Sequence, residues 1–307
     1  MNNNRTKYMA LGAIALAGLL AGCQFFGKLA GAEIIEEYTP DNEYYMGRGV
    51  SATIVAKFPS ADLKEDPVRK DLEYLNSMGG YLYQASRNID RSNLGDHVGR
   101  GDKDNERIQN LVLQNGITVG ILDTEEVMAF SLPGGFMWFS RGMISLCKDE
   151  DELAAVMCHE MGHLVMNHAS DAFRDAQNNA ASTAAISKKF KNKLTASFVA
   201  GMGGFFNDLA EKGYAKDLEY EADNFGARAL AAAGYDPNSL VAILKRVDEY
   251  EHAHGEHGKY LDNHPPIEER VETLQKLLKN PKNGIQVGNF KAGYNARLAR
   301  FKEFMGK

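Results

Sequence analysis

Two histidines four residues apart, with a glutamate directly after the first, carry the clearest chemical signal in this chain: His159-Glu160-Met161-Gly162-His163. On a helix, positions four apart share a face, so both imidazoles can reach one cation. Zinc takes neutral imidazole readily, and a catalytic zinc needs three protein ligands plus an open position for water. Glu160 sits one residue off the ligand line. It can take a proton from a water acidified by the ion without binding the ion itself. An amphipathic helix can carry two histidines for no chemical reason, but a chain with only eight histidines seldom spaces them this way.

The third ligand must come from elsewhere. A continuous three-histidine pattern would need glycine at 166 and histidine at 169, where Met166 and Ala169 stand. His168 is one residue out of that frame and reads as a surface histidine or a neighbour of a ligand. A downstream glutamate is then expected, as in gluzincin-type zinc proteases, and Glu219-Tyr220-Glu221-Ala222-Asp223 offers two. The helical face of Glu219 carries Ala222, Asp223 and Gly226, small enough for close approach to the histidine helix. The face of Glu221 carries the bulkier Leu218, Asn224 and Phe225. Glu219 is favoured. Asp223, one turn on, can orient a zinc-bound histidine from behind. His252, His254 and His257 lie in a polar stretch and read as solvent-facing.

The elements that must hold these groups follow from periodicity. A helix over Glu152 to about Ser170 carries the two histidines, announced by Asp149 with Glu152 three residues later. Ahead of it, Ile117–Leu122 alternates as a strand, and Val127–Leu132, the turn Pro133-Gly134-Gly135 and Phe136–Ser140 read as a hairpin. Residues 127–132 would offer an edge on which an extended peptide can lie as an added strand. Between Asp41 and Asn88 apolar residues recur at helical spacing (Val68, Leu72, Leu75), and 89–108 is a polar loop. Residues 181–206 are Ala- and Gly-rich and suggest a packed helix or a mobile lid. Further helices are expected at 215–233, 237–252 and 266–279. The fold class is α+β, a mainly helical zinc peptidase domain with a small sheet or hairpin, over 41–280, followed by a tail at 281–307.

The first residues form a leader. Arg5 and Lys7 precede an apolar run, Met9–Ala21, too short to span a bilayer comfortably. Leu20-Ala21-Gly22-Cys23 resembles a lipoprotein cleavage box, which implies removal of residues 1–22, lipid attachment at Cys23 and a tether over 23–40. Gln24 in place of aspartate after the cysteine points to the bacterial outer membrane, on its periplasmic side. The leader takes two of the 35 basic residues, leaving 33 against 41 acidic ones. Such a surface disfavours phosphate backbones, so nucleic acid is not an expected partner. Cys147 and Cys158 read as buried thiols rather than a disulfide.

Together, the His159–His163 motif, Glu219-x-x-x-Asp223 within Glu-x-Glu-Ala-Asp, and Ala129-Phe130-Ser131-Leu132-Pro133-Gly134-Gly135 resemble metallopeptidase family forty-eight, the HtpX and CAAX prenyl protease type. The likeness starts at Glu43–Arg48 and runs through Gly234-Tyr235-Asp236-Pro237 to His264-Pro265-x-x-x-x-Arg270, about residues 43–279. It is nearest the soluble, LoiP-like lipoprotein branch. The resemblance implies one zinc ion per chain on His159, His163 and Glu219, with Glu160 as base. It implies peptide or unfolded-protein substrates among misfolded or unassembled envelope proteins, reached from a lipid anchor. It also implies that His264 in its loop can approach the metal, as a latch or as an oxyanion donor. Many members carry Asn where Met128 stands. The competing class is a non-hydrolytic zinc-binding lipoprotein acting as chaperone or assembly factor, against which an intact Glu160 argues.

Overall fold

The structure, a computed structural model, describes residues 38–89, 94, 116–175, 213–254, 265–280, 282, 285, 290 and 292–306. The leader with Cys23, most of the 89–108 stretch, residues 181–206, His257 and His264 lie outside the described residues.

Helix α1 (Pro40–Lys57) starts where Thr39 and Asn42 exchange side-chain hydrogen bonds with each other's backbone N–H and Pro40 presets the first turn. Helix α2 (Asp66–Ser86) follows. Three strands come next: β1 (Thr118–Leu122), β2 (Ala129–Leu132) and β3 (Phe136–Ser140). The order is β1-β3-β2, with β1 parallel and β2 antiparallel to β3. The expected hairpin is therefore β2–β3. Its turn uses Gly134 (φ +82) and Gly135 (φ +87), left-handed positions that disfavour any residue with a Cβ. The outer edge of β1 is covered by residues 59–61, whose backbone bonds Ile121 and Asp123. The outer edge of β2 has no strand beside it among the described residues.

The described residues after the sheet include helices α3 (Arg141–Leu146), α4 (Glu150–Val165), α5 (Lys216–Ala232), α6 (Asn238–His254), α7 (Ile267–Lys279) and α8 (Tyr294–Phe304). The main core gathers α2, one sheet face, α4, α5 and α6 around Leu75, Phe139, Met157, Phe225 and Leu244. A smaller core under α1 joins Met46, Val50 and Leu132 to Phe173. Helix α4 lies at the centre, and all of its residues except Leu164 are buried.

Two expectations need correcting. The histidine helix ends at Val165 rather than about Ser170, because Asn167 takes a left-handed φ of +58 and a new helical stretch begins at His168. The stretch read as a tail contains α8, whose Phe301 is 3% exposed in the main core. Cys147 and Cys158 are free, buried thiols.

Candidate metal and catalytic centre

Asp149 caps α4 by accepting from the Glu152 N–H at 3.0 Å. Glu152 reaches back one residue further than a reciprocal box would require, to the Lys148 N–H at 2.8 Å. The helix then crosses α5 closely enough for backbones to touch. A Cβ on Gly162 would stand 2.9 Å from Ala222 Cα, and one on Gly226 would stand 3.3 Å from the His159 nitrogen. The small face at Ala222 and Gly226 is the surface on which α5 meets α4, and this contact carries Glu219 to the two histidines.

The three side chains converge. His159 Nε2 and His163 Nε2 are 3.2 Å apart; Glu219 Oε2 lies 3.5 Å from the former and Glu219 Oε1 3.4 Å from the latter. All three residues are at most 3% exposed. Ligand atoms set tetrahedrally at about 2.0–2.2 Å from a zinc ion lie about 3.3–3.6 Å from one another. The nitrogen pair, and each nitrogen with its nearer Glu219 oxygen (a different one for each ring), stand at about this spacing. The donor set of two imidazoles and a carboxylate suits that ion. Glu221 points elsewhere, toward His168.

Each imidazole is turned inward by what holds its other nitrogen. His159 Nδ1 is 2.9 Å from Asp223 Oδ1. Arg270, fully buried on α7, donates to both Asp223 oxygens at 2.7 and 2.9 Å, and its third nitrogen stands 3.4 Å from Glu219. Burial alone would raise the Asp223 pKa, but Arg270 and His159 outweigh it and keep the carboxyl below its usual range. Burial likewise disfavours a charged His159. Hydrogen bonds to Asp223 and Glu219 prevail and lift it to about 9. In the metal-free chain that proton occupies the place a cation would take, so metal uptake must release it.

Glu160 lies against these groups, 6% exposed. Burial, partly countered by His159 and reinforced by the charge of Glu219, lifts its pKa to about 7, with Ser131 on β2 as a hydrogen-bond partner that lowers it. A carboxylate so poised can both take and return a proton near neutrality. Tyr214, just ahead of α5, stacks on the His163 ring at 4.0 Å with 15° between planes.

The centre thus unites His159, Glu160, His163, Glu219 and Asp223. His168 is a buried neighbour of His163, not a surface residue. His252 and His254 are exposed on α6 and bond backbone carbonyls of their own helix. Arg270 and Tyr214 received no role from the sequence. For Arg270 a signal existed: Ile267, Arg270 and Leu274 fall on one buried stripe of α7, which places an arginine where apolar residues belong.

Residues 109–278 match the family model of Peptidase family M48. The mitochondrial metalloendopeptidase OMA1 of Schizosaccharomyces pombe is 30% identical over 152 residues, covering 49% of this chain and 43% of that protein. The putative beta-barrel assembly-enhancing protease of Vibrio cholerae is 29% identical over 161 residues, 50% of this chain and 33% of its own length. The beta-barrel assembly-enhancing protease of Escherichia coli K12 is 26% identical over 156 residues, 49% and 32% respectively. The chain therefore spans less than half the length of these curated relatives.

Proposed function

The chain belongs to peptidase family M48, and on that premise we propose that it is a zinc-dependent endopeptidase of bacterial envelope proteins. The observation that carries this reading is the convergence of His159 Nε2, His163 Nε2 and Glu219 within 4.8 Å of one another, beside a buried Glu160. These three residues would hold one zinc ion per chain. When bound there, zinc supplies a Lewis acid that polarises a peptide carbonyl and lowers the pKa of water to about 7. Glu160 accepts the proton of the attacking water on its carboxylate and delivers it to the leaving amine nitrogen. Asp223, held by Arg270, keeps Nε2 of His159 directed inward.

Strand β2 supports the peptide-binding part of the reading. Ser140 N–H bonds the Met128 carbonyl, so alternation along the ladder turns the backbone groups of Ala129 and Ser131 away from β3. An extended substrate can pair with that edge, which ends beside Glu160 through Ser131. The substrates we infer are unfolded or unassembled envelope proteins. The lipoprotein-like box at Leu20–Cys23 supports this, as does similarity to proteases named for β-barrel assembly. Cys23 would carry the lipid and hold the domain on the periplasmic side of the outer membrane. Among the described residues no helix is long and apolar enough to cross a membrane.

Cleavage of unfolded casein by the purified chain should vanish with a chelator and return with zinc. Activity that survives complete zinc removal would sink the reading. Cys23→Ser should free the chain from membranes with its peptidase activity intact; sedimentation with membranes in high salt would show another anchor.

A further inference from the structure

The two imidazoles facing Glu219 are backed differently. Behind His159 stands a carboxylate, Asp223. Behind His163 stands another imidazole: His163 Nδ1 and His168 Nδ1 are 2.9 Å apart, and His168 Nε2 lies 3.4 Å from Glu221 Oε2. All three residues are at most 5% exposed. The chain is shaped to make this contact. Helix α4 stops at Val165, Asn167 reverses direction with φ +58, and the next helical stretch starts on His168.

Two ring nitrogens at that distance require one proton between them, so one ring donates and the other accepts. If His163 binds metal through Nε2, as proposed above, its lone pair is there and its single proton is on Nδ1. His163 is then the donor and His168 Nδ1 the acceptor. The proton of His168 must sit on Nε2, where it faces the Glu221 carboxylate. A doubly protonated His168 would set two N–H groups against each other. Each link fixes the next.

We propose that His168 is a positioning residue, anchored by Glu221, that locks the tautomer and ring orientation of His163 for the metal. The relay rests on His163 being a ligand. It also gives separate tasks to three acidic residues of one helix face and its flank: Glu219 toward the metal, Asp223 behind His159, and Glu221 behind His163 through His168. Tyr214, stacked on the ring of His163, restrains its tilt; the nitrogen contact decides which nitrogen holds the proton.

The test uses the full zinc-loaded chain with nitrogen-15 histidine. Long-range proton–nitrogen spectra should show His163 protonated on Nδ1 and His168 on Nε2. Zinc affinity is then measured by chelator competition for the parent, His168→Asn and His168→Leu, with thermal melts of the metal-free forms to confirm folding. The Asn carbonyl oxygen stands near the place of Nδ1 and can still accept; Leu cannot. His168→Leu should bind zinc about 10–100-fold more weakly, and His168→Asn should recover most of the loss. Equal affinity in His168→Leu, or a proton on Nδ1 of His168, overturns the relay alone. A parent that takes up no zinc overturns the ligand assignment and the relay with it. If the Leu variant does not fold, the tautomers of the parent decide.

Discussion

The two ends of α4 bury charge in opposite ways. At its start Asp149, Glu150, Asp151 and Glu152 are all at most 6% exposed. Each meets donors from another helix or loop: Tyr294 on Asp149, Tyr74, Tyr235 and Arg300 on Glu150, Arg297 on Asp151, Arg246 on Glu152. The positive end of the helix adds to their stabilisation. At the other end His159 and His163 meet Glu219 beside Glu160, and the two ring nitrogens and the Glu219 carboxylate aim at one another. A buried charge costs several kcal/mol unless its surroundings compensate. Acids paired one by one are scaffold, because the protein itself supplies every partner. Donors aimed at a common point form a site, because one cation bound there is shared by all of them.

The sharpest way to break this contrast is Glu160→Gln, which removes the proton acceptor with almost no change in size. Hydrolysis should fall by at least about 10²–10⁴-fold, with zinc content and melting temperature close to the parent. A substantial residual rate in the zinc-loaded variant would remove Glu160 from the base role. Next comes metal content in Glu219→Ala and Glu221→Ala. The first should lose zinc far beyond the roughly 10–100-fold expected for a residue acting through another, and the second should stay within that range. The reverse order would mean that α5 is rotated relative to the site.

The scaffold end should respond in stability instead. Arg297→Met leaves the buried Asp151 without its two-pronged partner. A loss of about 3 kcal/mol is expected, or roughly 6–12 °C in melting temperature. Zinc affinity of the folded variant should stay within about twofold of the parent. If affinity falls in step with stability, the two ends are not separable.

The smallest effect is a pH dependence of the metal-free chain. Glu160 titrates near 7 in the fold against an ordinary 4.5, and His159 near 9 against an ordinary 6.5. In both windows the folded state binds the extra proton, so stability falls as pH rises, first between about 4.5 and 7 and then between about 6.5 and 9. Melting curves across pH 5–9 should show the decline, and Glu160→Gln should remove its lower part. Zinc affinity should move the other way and strengthen as pH rises toward 9, since His159 must give up its proton. Apo stability that rises over this range would contradict the burial and partners given to both groups.

Much of the site was legible because it is local. The spacing of His159 and His163, the cap at Asp149, the Pro133–Gly135 turn and the small face of α5 are each written within a few residues. The helix over 150–165 was legible too, but not its end. Leu164, Val165 and Ala169 continue a helical pattern, and the reversal at Asn167 sets His168 against Glu221 on another helix, a contact no local pattern shows. The role of α8 was illegible for a similar reason. Arg297 and Asp151 are 146 residues apart, and an arginine on a short polar helix looks like any solvated charge until its partner is known.

By itself, then, the sequence determined which atoms could bind a metal and move a proton, since those depend on residue type and on the fixed pitch of a helix. Only the tertiary structure decided that Arg270 holds Asp223 and that His168, beside Glu221, stands behind His163. Those choices depend on how closely α4 and α5 approach at Gly162 and Ala222 and on where the chain turns at Asn167. Distances between separate elements are set by packing, and no local spacing encodes them.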